Sequence, residues 1–193
     1  GVGAGATEYV TLAAALTATK DYSIIGDFIL TISISDGTYA NETSLDFVHA
    51  NSGNIKIVGE SEAGVIFTNT TSSTDWITIG TGSSDVQSYL YFENITFQYS
   101  STNAANSHIF KVLDNAYVEF NNCTFNIGTR ANALDVQGEV KGTALTFKTD
   151  AGTISGSSNR FITVDGASGS VTLGGASSFA VTYTGGSSTS FYS

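Results

Sequence analysis

Residues able to do acid–base or nucleophilic chemistry are sparse in this chain. Seven Lys plus Arg stand against 17 Asp plus Glu, with 2 His and 1 Cys, in 193 residues. Glycoside hydrolysis needs two carboxylates a few ångströms apart, one acting as acid and the other as base or nucleophile. Proton abstraction from an acidic sugar needs an acidic cation-binding cluster beside a basic residue. The charged candidates Asp46, Lys111, Glu119, Asp135 and Lys141 come singly, each inside a short apolar-polar alternation such as "SLDFV" (44–48), "HIFKVL" (108–113) or "NALDVQG" (132–138). Asp85, Asp114 and Asp150 fall in polar loop sequence. His49 and His108 have no Cys or carboxylate cluster at metal-ligand spacing. Cys123 is the sole thiol, so no internal disulfide forms. No catalytic residue, metal ligand or cofactor is assigned.

The elements that position these side chains repeat. "YLYFENITFQY" (89–99) and "AYVEFNNCTFNI" (116–127) align as Leu90 on Val118, Phe92 on Phe120, Asn94 on Asn122, Ile95 on Cys123, Thr96 on Thr124 and Phe97 on Phe125. A third copy holds Val140, Gly142, Leu145, Thr146 and Phe147. Looser copies hold Ile55, Ile57, Ile66 and Phe67, and then Val171, Leu173, Thr182 and Tyr183. Each copy adjoins another alternating strand whose inward pairs are Leu45/Phe47, Ile77/Ile79, Phe110/Val112, Leu134/Val136 and Ile162/Val164. Three short strands per unit, repeated at variable length, are how a chain winds a parallel β-helix, with insertions confined to the corners. Alternation sends every second side chain into the bore, and like residues stack at about 4.8 Å. A β-sandwich also has short strands, but does not require similar residues to recur in the same order.

The expected fold is all-β: a single-stranded right-handed parallel β-helix of about six coils with a short N-terminal capping α-helix, forming one domain over 1–193. The spacing predicts a tail over 1–6, a capping helix over 7–20 with Thr7 as N-cap, Glu8 in its first turn and Leu12, Ala15 and Leu16 on its apolar face, coils over 21–185, and a tail over 186–193. A core stack of Phe67, Phe97, Phe125, Phe147 and Tyr183 and an outward threonine ladder of Thr96, Thr124, Thr146 and Thr182 follow from the alignment. That ladder is one file, interrupted at Ile66, whereas an ice-binding face needs at least two.

On the helix followed by "ISDGTYANE", then "NIKIVGE", "FENITF" and "FNNCTF", the chain resembles the pectin lyase-like superfamily of right-handed parallel β-helices across nearly its whole length. The resemblance implies the architecture. It implies no activity, because the superfamily's Asp-Asp, Gly-His-Gly, Arg-Ile-Lys, Gln-Asp and Gly-Arg-Pro-Trp signatures are missing and the chain has 0 Pro.

Four Asn-x-Ser/Thr sequons stand at Asn41, Asn69, Asn94 and Asn122. Asn41 and Asn69 read as loop glycosylation candidates, whereas Asn94 and Asn122 share one bend and read first as an asparagine ladder. Tyr91, Tyr99 and Trp76 read as exposed rings able to stack on sugars. The net charge of −10 excludes a nucleic-acid binder and docking on anionic lipid, and no apolar run reaches a membrane span. Low charge, abundant Ser and Thr, and the absence of Met point to a secreted product at the cell surface. The first expectation is a non-enzymatic extracellular structural protein that self-assembles with copies of itself through its ends, such as a filament or sheath subunit. The alternative is a glycan-binding adhesin or tail-spike-like module. The third is a polysaccharide lyase- or esterase-like enzyme.

Overall fold

The structure is a computed structural model that describes residues 9, 11–19, 22, 29–40, 45–48, 54–70, 74–82, 88–100, 107–128, 131–149, 160–165 and 168–180. A helix, α1 (Leu12–Thr19), precedes the first winding of β1 (Ile29–Ile34), β2 (Gly37–Ala40) and β3 (Leu45–Phe47). The second winding is β4 (Asn54–Gly59), β5 (Val65–Asn69) and β6 (Ile77–Ile79). In the next two, a bent strand supplies two sides: β7 (Ser88–Tyr99) with β8 (Ser107–Val112), then β9 (Ala116–Ile127) with β10 (Ala131–Val136). Then come β11 (Glu139–Thr143), β12 (Thr146–Thr149) and β13 (Ile162–Val164), and last β14 (Ser170–Gly174) and β15 (Ser178–Ala180).

Described strands pair in parallel and in three columns: β1-β4-β7-β9-β11-β14, β2-β5-β7-β9-β12-β15, and β3-β6-β8-β10-β13. The molecule is a parallel β-helix. About 4 turns enclose it, fewer than the six coils counted from the repeats. The difference lies at the ends, where inward residues of β1 and β14 are only half-buried.

The register follows the repeat. Leu90 lies on Val118, Phe92 on Phe120, Ile95 on Cys123 and Phe97 on Phe125. One ring column runs Tyr39, Phe67, Phe97, Phe125, Phe147, Phe179, with successive centroids 5.1, 6.0, 5.9, 5.0 and 4.9 Å apart. Offset aromatic pairs at this spacing contribute roughly 0.5–1.5 kcal/mol each beyond their area. Phe179, not Tyr183, follows Phe147, and Ser178, not Thr182, follows Thr146. The last bend carries only one extra residue, whereas placing Tyr183 on Phe147 would need five; Thr182 and Tyr183 lie outside the described residues. Beside this column, the Phe92–Phe120 pair (5.4 Å) is followed by Gly142. A Cβ there would collide with Leu145, so the missing side chain makes room for a leucine one corner on.

The bend between the first two columns uses left-handed backbone at Asn94 (φ 57°), Asn122 (φ 50°), Ala144 (φ 53°) and Gly175 (φ 65°). Asn122 Nδ2 donates to Asn94 Oδ1 at 2.8 Å, and Asn94 Nδ2 reaches the Gly59 carbonyl at 3.5 Å. Asparagine tolerates this conformation; alanine adopts it only under strain.

The helix is shorter than the expected 7–20. Thr11 is the N-cap, its Oγ1 accepting from the Ala14 amide at 3.1 Å. Thr7 and Glu8 lie outside the described residues. Leu12 and Ala15 are buried and Leu16 packs against the core, so α1 lies over the first winding.

Ala144→Asn should raise stability by about 1 kcal/mol in urea unfolding, since it relieves left-handed strain and adds a rung to the ladder. Asn122→Ala should shift the curve the other way.

Candidate functional site

On the outward flank of the first column, Lys56, Tyr91, Glu119 and Lys141 stand beside Tyr89, Glu93, Tyr117, Asn121 and Glu139. Lys56 Nζ lies 3.1 Å from Glu93 Oε2 and 4.3 Å over the Tyr91 ring. Asn121 Nδ2 donates to the other Glu93 oxygen at 3.2 Å. Tyr89 and Tyr117 stack with centroids 4.6 Å apart, and both hydroxyls donate to Glu119 Oε2, at 3.3 and 3.2 Å. Lys141 lies 5.0 Å over Tyr117 and 3.6 Å from Glu139, so it is Glu139 rather than Glu119 that takes this lysine. Burial and then the Glu119 charge push the Tyr89 phenol up to about 12. The Glu93 hydrogen bond raises Lys56 and the Tyr117 hydroxyl raises Lys141.

This flank has the residue types of a sugar platform, but its groups are spent on one another. Stacking on a sugar needs a free ring face, and here Tyr117 has both Tyr89 and Lys141 against it, while Tyr89 and Tyr91 each give one face to a neighbour. The other two expected stackers are inside: Tyr99 is 0% and Trp76 1% exposed. Tyr99 points inward two residues after Phe97, donates its hydroxyl to the Thr74 carbonyl at 2.8 Å, and stacks on Trp76 at 5.9 Å.

The third column carries the one histidine–carboxylate contact among the described residues. His108 Nδ1 lies 2.8 Å from Asp75 Oδ1, which also accepts from the His108 backbone amide at 3.0 Å. An ionised carboxylate only accepts, so Nδ1 carries the proton. Lys111 Nζ is 3.6 Å from both Asp75 Oδ2 and Asp135 Oδ2. Burial alone would raise the Asp75 carboxyl, but the His108 and Lys111 contacts outweigh it and hold it below its ordinary value. Asp46 shares the file with Thr78, Lys111 and Asp135, and is separated from Asp135 by the two strands between them. Asp75 is thus oriented by His108, and Lys111 is shared between two carboxylates. Among the described residues, no group of three or more His, Cys, Asp or Glu is placed to hold a metal. His49, Asp85 and Asp150 lie outside the described residues.

Two members of the threonine file are occupied from within. Thr124 Oγ1 donates to Glu62 Oε1 and Thr96 Oγ1 to the Glu62 carbonyl, because the corner between β4 and β5 folds back over the file. That corner is held by Asp36 Oδ1, which accepts from the Ser61 amide and hydroxyl at 3.1 and 2.9 Å. Of the sequons, Asn69 is 1% exposed and points inward in the phase of Phe67, not out of a loop. The Asn94 and Asn122 amides are in the ladder. Asn41 lies outside the described residues. Cys123 is buried, and burial pushes its thiol up to about 12.

The ends of the rod differ from its flanks. In the last two windings two side chains in the inward phase remain exposed, Val164 of β13 at 43% and Phe179 of β15 at 46%. At the other end a cleft of about 630 Å³ separates α1 from β1, its floor formed by Leu30, Ile32, Ile34 and Tyr39 and its roof by Leu12 and Ala15. The end strands "ITV", "SVTLG" and "SFA" carry no charge, and neither does the helix "LAAALTAT". Compared with protein-family models, with curated proteins and with solved structures, the chain finds no match in any of the three.

The Asp75 contact sets a pH dependence. A carboxyl with a depressed folded pKa contributes stability above its unfolded value of about 3.9, and loses it as pH falls through the folded value. Asp75→Asn should therefore be less stable than the parent at neutral pH. The gap should close as the medium is acidified below about pH 3.9, measured by urea unfolding at stepped pH.

Proposed function

We propose that this chain is a non-enzymatic structural rod of the cell exterior, a β-helix of the pectin lyase-like kind that self-associates through its terminal winding. The observation that carries this is Phe179. Among the described residues, the ring column that is buried through Phe67, Phe97, Phe125 and Phe147 ends on a ring 46% exposed. An unpaired strand edge beside an apolar end is a template for another chain. The absence of charge on β13, β14 and β15 lets copies with a net charge of −10 approach there. The Ser, Thr and Asn cladding and the low charge content of 12% support an extracellular setting.

The flanks favour this reading over the two alternatives. A glycan module needs ring faces that are open, and a hydrolase or lyase needs carboxylates free to act. On this rod the tyrosines lie against one another and the lysines, and Glu93, Glu119, Asp75 and Asp135 each serve a neighbouring winding.

Sedimentation velocity should show association that grows with protein concentration. Phe179→Asp should weaken it at least ~100-fold without altering the far-ultraviolet spectrum, because the ring packs at the end of the column and not within it. A parent chain that stays monomeric at high concentration would refute the reading.

A further inference from the structure

Tyr89 and Tyr117 occupy the same place on successive windings, because β7 and β9 pair in parallel with one residue directly on the other. Their rings lie face to face, with centroids 4.6 Å apart and planes 6° from parallel. Both hydroxyls donate to one acceptor, Glu119 Oε2, at 3.3 and 3.2 Å, so the phenol edges are in register as well as the ring faces. Both side chains are in the outward phase of their strands and only half-buried. Among the described residues this is the one stacked pair of tyrosines: Tyr39 stacks on Phe67, Tyr99 stacks on Trp76, and Tyr91 stands between Lys56 and Glu119.

We infer that Tyr89 and Tyr117 are a cross-linking site, joined by one-electron oxidation into a dityrosine that staples one winding to the next. The oxidant is a peroxidase acting with hydrogen peroxide. Each phenol gives it one electron and gives its hydroxyl proton to the Glu119 carboxylate, which passes the protons to solvent one at a time. A phenoxyl radical carries unpaired spin on the ring carbons ortho to oxygen, in orbitals perpendicular to the ring. Face-to-face rings point those orbitals at each other, and holding two reactants so replaces an encounter in solution with a step inside one molecule. The radicals pair into one carbon–carbon bond between an ortho carbon of each ring. Those two carbons then lose their hydrogens as protons while both phenolic O–H bonds re-form. The chain loses two hydrogen atoms in all, and hydrogen peroxide takes them up as two molecules of water. Because the rings face outward, the joined pair can turn towards solvent without disturbing the bore. With 1 Cys in the chain, and that one buried, no internal disulfide ties the windings together. A tyrosine staple restricts the unfolded chain in the way a disulfide does. The bond forms within a single chain and does not depend on end-on association.

Dilute parent chain treated with a haem peroxidase and hydrogen peroxide should yield a monomeric product two hydrogens lighter. That product should show the blue fluorescence of dityrosine and, after proteolysis, a fragment in which the Tyr89 and Tyr117 peptides are joined. Tyr89→Phe and Tyr117→Phe, which keep a ring in the stack, should each cut the monomer's dityrosine fluorescence at least ~10-fold. Tyr91→Phe should leave it unchanged. Exposed tyrosines such as Tyr22 would react between chains, so their products are removed with the covalent dimers by gel filtration. A joined peptide lacking Tyr89 or Tyr117 would overturn the site. So would monomer fluorescence that the Tyr89 and Tyr117 variants retain, or a product confined to covalent dimers. None of these readouts involves the last winding, so such a failure leaves the end-on reading standing, and a chain that never associates leaves the staple standing.

Discussion

Everything in this molecule depends on equivalent side chains meeting one another at the spacing of paired parallel strands. No single winding here has a core of its own. Each buries its apolar residues only because the windings before and after repeat them in phase, so stability propagates along one dimension. The constraint acts outside as well as inside. Outward residues are also stacked at about 4.8 Å, where like charges directly opposed are destabilising. The first flank alternates accordingly, with Lys56 on Tyr91 on Glu119 on Lys141, and the third column places Thr78 and Asp135 on either side of Lys111. A rod built this way spends its charged groups on its own neighbours.

The periodic part of this structure was legible in the sequence because period-2 alternation and recurring bends leave marks at every repeat. The pairing of Phe97 with Phe125 and Phe147, and of Leu45, Ile77, Phe110, Leu134 and Ile162, follows from phase alone. Phase also placed Tyr99 and Asn69 inside, two residues beyond inward Phe97 and Phe67, where a reading of them as surface groups overlooked it. The last coil was harder. Phe179 and Tyr183 have the same parity, so alternation does not choose between them; the length of the bend after Gly174 does, and bend length has no periodic signal.

Contacts made by corners were not legible. Asp75 precedes β6 and meets His108 only because the two strands pair, with 33 residues of separation. Glu62 lies 62 residues from Thr124 and reaches it by folding across two windings. Neither contact has a repeat to announce it. The helix boundary shows a similar limit: Thr7 and Thr11 are both acceptable caps by composition, and Thr11 wins by placing Leu12 and Ala15 on the first winding.

At the ends of the described rod the stacking rule runs out of partners among the described residues, and the balance of magnitudes takes over. Burying one phenylalanine side chain is worth roughly 1.5–3 kcal/mol. Bringing two proteins together costs about 4–15 kcal/mol before any contact offsets it. Phe179 and Val164 are each only partly exposed, so these two side chains on both copies fall near the lower end of that cost. A stable junction must therefore draw on the backbone edges of β14 and β15 as well as on the rings. On the proposed end-on association, the exposed aromatic and the small, uncharged Ser170, Gly174 and Ser178 of the terminal strands would serve such a junction together. Bulk or charge there would hold the edges apart, and the ring by itself would not hold them together.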